Sequence, residues 1–144
     1  MTDAAFAPPR MADQHTQPPL RVMVVDRNAA VLELLAALLE HHGCSVVCVA
    51  RADLALAKVT EFRPHAVCSG IVLDDSDGFT LATRLRTLPE TASSLLMAVS
   101  GRHRPDDQSA AREAGFDHFI VKPFALEEVM APLIALRQTL PPSG

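Results

Sequence analysis

The chain has 144 residues, of which 49% are hydrophobic, enough for one domain with a real core. Thirteen Lys and Arg against seventeen Asp and Glu leave a net charge of −4, and the sequence pI is about 5.8. With no dense basic stripe, these values argue against a binder of phosphate backbones, so nucleic acid is set aside as a direct partner. Cys44, Cys48 and Cys68 are odd in number and form no C-x-x-C pair, so neither a disulfide framework nor a zinc site is indicated, and a reducing cytoplasm is expected. The first residues lack a long apolar segment and no apolar run approaches membrane-spanning length, which predicts a soluble protein that does not engage a membrane. Six scattered histidines, at 15, 41, 42, 65, 103 and 118, read as solvated groups and not as metal ligands.

Residues 1–19 carry Pro8, Pro9, Pro18 and Pro19 among small and polar residues and read as a disordered tail. Arg21 to Val25 is a compact β-branched run ending at Asp26. Asn28 is a plausible N-cap for a helix whose broad apolar face holds Val31, Leu32, Leu34, Leu35, Leu38 and Leu39, and Gly43 supplies its stop. Ser45 to Val49 reads as a second strand, Ala52 to Phe62 as a helix and Ala66 to Ile71 as a third strand. Thr80 to Leu88, Leu95 to Val99, Asp106 to Ala114, His118 to Val121 and Leu126 to Leu140 continue the alternation, with Pro132 expected to kink the last helix, and 141–144 form a short tail. Five strand–helix pairs over residues 20–140 predict an α/β domain, a parallel sheet covered by helices on both faces. Asp26, Arg27 and Gly70 fall at the carboxyl ends of predicted strands, where such sheets bind their ligands.

Four segments together carry a resemblance: residues 22–28 (VMVVDRN), 63–78 (RPHAVCSGIVLDDSDG), Ser100-Gly101 and residues 121–124 (VKPF). They resemble the receiver domains of two-component response regulators, over about residues 20–140. The resemblance implies a flavodoxin-like (βα)5 fold with strand order 2-1-3-4-5. It also implies a phosphoryl-accepting pocket built from an aspartate nucleophile, an acidic pair that holds Mg²⁺, a hydroxyl and a lysine. Asp26 matches the first member of the acidic pair and Arg27 replaces the second. Gly70 stands at the position of the nucleophile. Ser100 matches the hydroxyl, and Lys122-Pro123 matches the lysine and a proline whose preceding peptide bond is usually cis in the family. Phe119 matches the aromatic that couples the pocket to the face made by the fourth and fifth helices and fifth strand, but it has no hydroxyl. Asp74 replaces a proline common in the family. The run 112–123 also looks like the receivers attached to hybrid histidine kinases.

One carboxylate against two cations, Asp26 against Arg27 and Lys122, leaves the expected pocket at +1, so Mg²⁺ binding is expected to be lost and no metal or other cofactor is predicted. The chain is therefore read as a non-enzymatic, stand-alone pseudo-receiver in phosphorelay signalling, recognising protein partners without aspartyl phosphorylation. Those partners would be a histidine kinase, an output protein or a second copy of the chain, met through the face bearing Phe119. No DNA-binding helix-turn-helix is read, so output is expected to pass through a partner. Two alternatives stay open. In the first, the acceptor is displaced to Asp74 or Asp75. In the second, the cationic pocket senses a small anion through Arg27, Ser100 and Lys122, and Arg27 turns either to solvent or inward to a carboxylate.

Overall fold

The computed structural model describes residues 19–101 and 104–140. The tails expected at 1–19 and 141–144 thus lie outside the described residues except for Pro19. Strands β1 (Arg21–Val25), β2 (Ser45–Val49), β3 (Ala66–Ser69), β4 (Leu95–Ser100) and β5 (His118–Val121) alternate with helices α1 (Ala29–His41), α2 (Ala52–Phe62), α3 (Gly78–Arg86), α4 (Asp107–Ala114) and α5 (Leu126–Thr139). All strand pairs are parallel, and the sheet order is β2-β1-β3-β4-β5. This is the doubly wound, flavodoxin-like arrangement with its switch point between β1 and β3.

Strand periodicity divides the core in two. Met23 and Val25 of β1, Val67 of β3, and Leu96 and Ala98 of β4 face one side, where Ala55 and Val59 of α2, Leu81 and Leu85 of α3, and Ala111 of α4 cover them. Val22 and Val24, Ala66 and Cys68, Met97 and Val99 face the other side, under Leu35 and Leu39 of α1 and Val129 and Leu133 of α5. Four consecutive residues of β1, Val22 to Val25, are fully buried, as a central strand covered on both faces requires. Full burial of each such aliphatic side chain contributes about 1.5–3 kcal/mol. The cysteines are free, and complete burial pushes the Cys68 thiol up to about 12, which keeps it protonated and inert.

Asn28 caps α1 as expected, its side-chain oxygen accepting from the Ala30 and Val31 amides at 2.9 and 3.4 Å. Two expected ranges differ from the structure by two residues: the helix expected over Thr80 to Leu88 is α3, Gly78–Arg86, and the third strand is shorter than expected. The third strand ends at Ser69, not Ile71, because the chain leaves the sheet after the Gly70 amide, and Ile71 begins a loop in which the Gly78 amide bonds back to the Ile71 carbonyl at 2.7 Å. The last helix runs as one element through Pro132. Proline there deprives the Glu128 carbonyl of its helical donor, and the half-buried ring lies beside buried Leu133.

Candidate functional site

At the carboxyl ends of the strands a cleft of about 230 Å³ is lined by Asp26, Arg27, Asn28, Gly70, Ser100 and Lys122, with Ile71, Val72, Val99 and Gly101 completing its wall. Backbone hydrogen bonds beyond the strand ends place these residues. The Asp26 amide donates to Val49 O at 3.2 Å, the Gly70 amide to Val25 O at 2.8 Å and the Lys122 amide to Ser100 O at 2.9 Å. Each donor therefore continues the direction of its strand by one residue and presents its side-chain position to the crevice. The peptide bond between Lys122 and Pro123 is cis.

Among the described residues that line the cleft, Asp26 is the only carboxylate. Its side chain is 9% exposed. One carboxylate oxygen, Oδ1, accepts from the Asn28 amide at 2.8 Å, and the other, Oδ2, lies 3.6 Å from Lys122 Nζ. Ser100 is buried. Arg27 is exposed and forms no ion pair with Asp26 or with the loop aspartates, so of the two orientations expected for it the solvent-facing one is found. Among the described lining residues, two cations and one carboxylate give a net charge of +1. A hard divalent cation takes most of its ligands from oxygen, and carboxylates supply the charge that holds it. A lone carboxylate already paired with a lysine does not fit such an ion, and among the described residues no group of three His, Cys, Asp or Glu side chains could hold a metal.

The loop after Gly70 is tightly braced. Val72 and Asp77 form an antiparallel bridge, Leu73 is buried, and Asp77 caps α3 by accepting from the Thr80 amide at 2.8 Å. A Cβ on Gly78 would collide with the Gly70 carbonyl oxygen, so glycine at 78 is what lets α3 start against the floor of the cleft. Asp75 turns away from the cleft. Its two carboxylate oxygens accept from the Ala52 and Asp53 amides at 2.8 and 2.9 Å, which satisfies the open N-terminus of α2, where Arg51 offers no capping side chain. These backbone hydrogen bonds, with the Arg51 guanidinium 3.9 Å away, hold the Asp75 carboxyl below its ordinary value. Asp74 is exposed.

The structure thus brings Asp26, Arg27, Gly70, Ser100 and Lys122 together and leaves Asp74, Asp75 and Phe119 outside the cleft lining. Phe119 is half-buried on the α4 side of β5, where it packs against the core shared with α2 and α3. It lines a separate cavity of about 220 Å³ with Gln108, Arg112, Phe116 and His118.

Residues 22–134 match the model of the response regulator receiver domain. The chain belongs to that family. Among curated relatives, the receiver domain is 34% identical over 127 residues to the response regulator MprA of Mycolicibacterium vanbaalenii, covering 88% of this chain and 54% of that protein. It is 36% identical over 116 residues to the transcriptional regulatory protein PrrA of Mycobacterium tuberculosis, covering 81% and 49%. The receiver domain therefore spans about half the length of the curated relatives it matches. Among solved structures it resembles the CheY-like receiver domain protein of Methylobacillus flagellatus, at 27% identity, a TM-score of 0.72 and coverage of 82% of this chain and 98% of that one. The chemotaxis response regulator CheY4 of Vibrio cholerae, at 20% identity, a TM-score of 0.75 and coverage of 82% and 98%, shares the fold. No helix among the described residues of the receiver domain is long and apolar enough to cross a membrane.

Sequence reasoning anticipated the five main positions of the cleft but not two features of its surroundings. Asn28 reads only as a helix cap, whereas its amide also orients the Asp26 carboxylate. The docking of Asp75 onto α2 joins residues 22 or more positions apart; its one sequence signal was Arg51, a poor cap before a predicted helix.

Proposed function

We propose that this receiver domain is a pseudo-receiver, a protein-interaction module in two-component signalling whose output does not depend on aspartyl phosphorylation. The observation that carries the reading is the cleft itself. Gly70 offers no nucleophile at the strand end where the resemblance to receivers expects one, and the remaining carboxylate, Asp26, is held by Lys122. Phosphoryl transfer to aspartate needs an available carboxylate oxygen and enough positive charge around the transferring group to stabilise it. Arg27 in place of a second metal-binding carboxylate sets the site against Mg²⁺, so neither requirement is met in the usual way.

In this reading the partner is a protein of the same signalling class, a histidine kinase or an output protein, and a second copy of the chain is a further candidate. The half-buried Phe119 and its cavity beside α4 supply the recognition face, by analogy with other receivers. The test is to incubate the purified chain with acetyl phosphate and Mg²⁺ and measure its intact mass. No phosphoryl adduct is expected; a stoichiometric, acid-labile adduct on an aspartate overturns the reading.

A second reading, a small-anion sensor, draws on Arg27, whose exposed guanidinium borders the cleft beside Lys122 and Ser100. Phosphate or acetyl phosphate without Mg²⁺ would then raise the melting temperature, and Arg27→Ala would abolish the rise. A displaced acceptor is less well supported, because both oxygens of Asp75 already serve α2. Labelling that disappeared in an Asp74→Ala, Asp75→Ala variant would restore it.

A further inference from the structure

Glycine at 70 removes a side chain, and the space it leaves is occupied. A Cβ placed on Gly70 would lie 2.9 Å from Asp26 Oδ2 and 3.4 Å from its carboxyl carbon. The first distance is shorter than a carbon and an oxygen tolerate without moving. The oxygen in the way is the one that faces Lys122 Nζ at 3.6 Å. The other oxygen is tied to the Asn28 amide at 2.8 Å, so relieving the contact means shifting the oxygen that faces Lys122 on a carboxylate held at its other end. Asp26 also stands at the end of β1 and Lys122 at the end of β5, so their pair reaches across the strands that separate them, β3 and β4.

We infer that Asp26 is a positioning residue that holds Lys122 across the mouth of the sheet, and that glycine at 70 is the steric condition for this latch. The first-strand carboxylate borders the space over Gly70 and serves as the lysine's counter-ion. Substitution at 70 then acts on Lys122 indirectly, by displacing the Asp26 carboxylate. Among the described residues, the polar groups beside the pair include Arg27, which lines the same cleft, and the buried Ser100, whose carbonyl accepts from the Lys122 amide. Neither supplies a competing negative charge. This inference goes beyond the pseudo-receiver reading and does not depend on it, since the latch concerns which carboxylate holds the lysine and not whether a phosphoryl group is accepted.

The experiment is a double-mutant cycle on the full chain, with Asp26→Asn and Lys122→Met made singly and together, once with Gly70 and once in a Gly70→Ala background. Unfolding constants from urea titrations are the readout. With Gly70, the two substitutions should be non-additive by about threefold or more, within the range measured for contacting residues. In the Gly70→Ala background they should become additive within about twofold. Additivity with Gly70, or equal coupling in both backgrounds, overturns the inference. The carboxyl ¹³C resonance of Asp26 provides a second measurement that needs no substitution at 26. It should move in Lys122→Met and in Gly70→Ala, and a resonance unmoved by either substitution overturns the latch.

Discussion

His65 shows how a single side chain at the end of the sheet opposite the cleft makes stability depend on pH. Its Nδ1 accepts from the Arg21 amide at 2.9 Å, which requires an unprotonated nitrogen and joins the start of β1 to the residue before β3. Burial, and then the nearby Arg21 and Arg137, push the imidazole below its ordinary value of 6.5. A depressed folded-state value means that the unfolded chain binds the proton more readily. The contribution of His65 is therefore present above about pH 6.5 and is lost as the pH falls below it. Melting temperatures measured from pH 7.5 to 5 should fall more steeply for the wild type than for His65→Asn, which can accept the same amide without titrating; parallel curves would contradict this. Gly115 gives a simpler case. It ends α4 at a φ of 117°, and a Cβ there would meet Arg86 Cγ at 2.8 Å. Gly115→Ala should cost about 1–2 kcal/mol from backbone strain alone, seen as a melting temperature lower by about 4 °C or more.

Among the elements, α2 and α3 each depend on a residue distant in sequence. The N-terminus of α2 is satisfied by Asp75 from the loop after β3, so the loop bordering the cleft and the helix beside it are fixed to each other. Asp75→Ala should lower the melting temperature and raise amide exchange at Ala52 and Asp53 selectively. Since the folded-state carboxyl lies below its ordinary value of 3.8, the difference between wild type and variant should persist above pH 4 and shrink as the pH falls below it. Equal exchange at the two amides in both proteins would refute the cap. At the C-terminal end of α3, Arg86 donates to Gly115 O at 3.0 and 2.7 Å and to Ser94 O at 2.6 Å, and it pairs with Asp117 at 2.9 Å. It thus joins the turn before β5 to the approach to β4. Arg86→Ala should cost about 2 kcal/mol, the scale of charge-assisted hydrogen bonds at a partly exposed site. The elements themselves were legible in the sequence because apolar alternation reports burial directly: β1, β2, α2 and β5 occupy their expected ranges. The third strand is two residues shorter than its apolar run, because Gly70 and Ile71 look like a continuation of that run and the return of the loop to Ile71 breaks it.

At the scale of the whole molecule, the family and the location of the cleft follow from motifs spread over the chain, because parallel topology carries the ends of β1, β3, β4 and β5 to one crevice. What the motifs could not show is how the remaining charges rearrange: Arg27 turns to solvent while Asp26 takes Lys122 and the space over Gly70. That arrangement bears on whether phosphoryl-accepting chemistry can be built into the cleft. Gly70→Asp alone adds a carboxylate where Asp26 already stands and leaves Arg27 at the rim, so two carboxylates face two cations and the cleft is neutral. Such a site has little claim on Mg²⁺. Combining Gly70→Asp with Arg27→Asp places three carboxylates against Lys122, a net charge of −2, and gives Asp26 a reason to leave the lysine for a metal. The double variant should bind Mg²⁺ by calorimetry and become labelled by acetyl phosphate only when Mg²⁺ is present, whereas either single variant should do neither. Labelling of the Gly70→Asp single variant would show that Arg27 does not oppose the metal. A silent double variant would instead locate the obstacle in the braced loop between Gly70 and Gly78, where an added side chain has little room to settle.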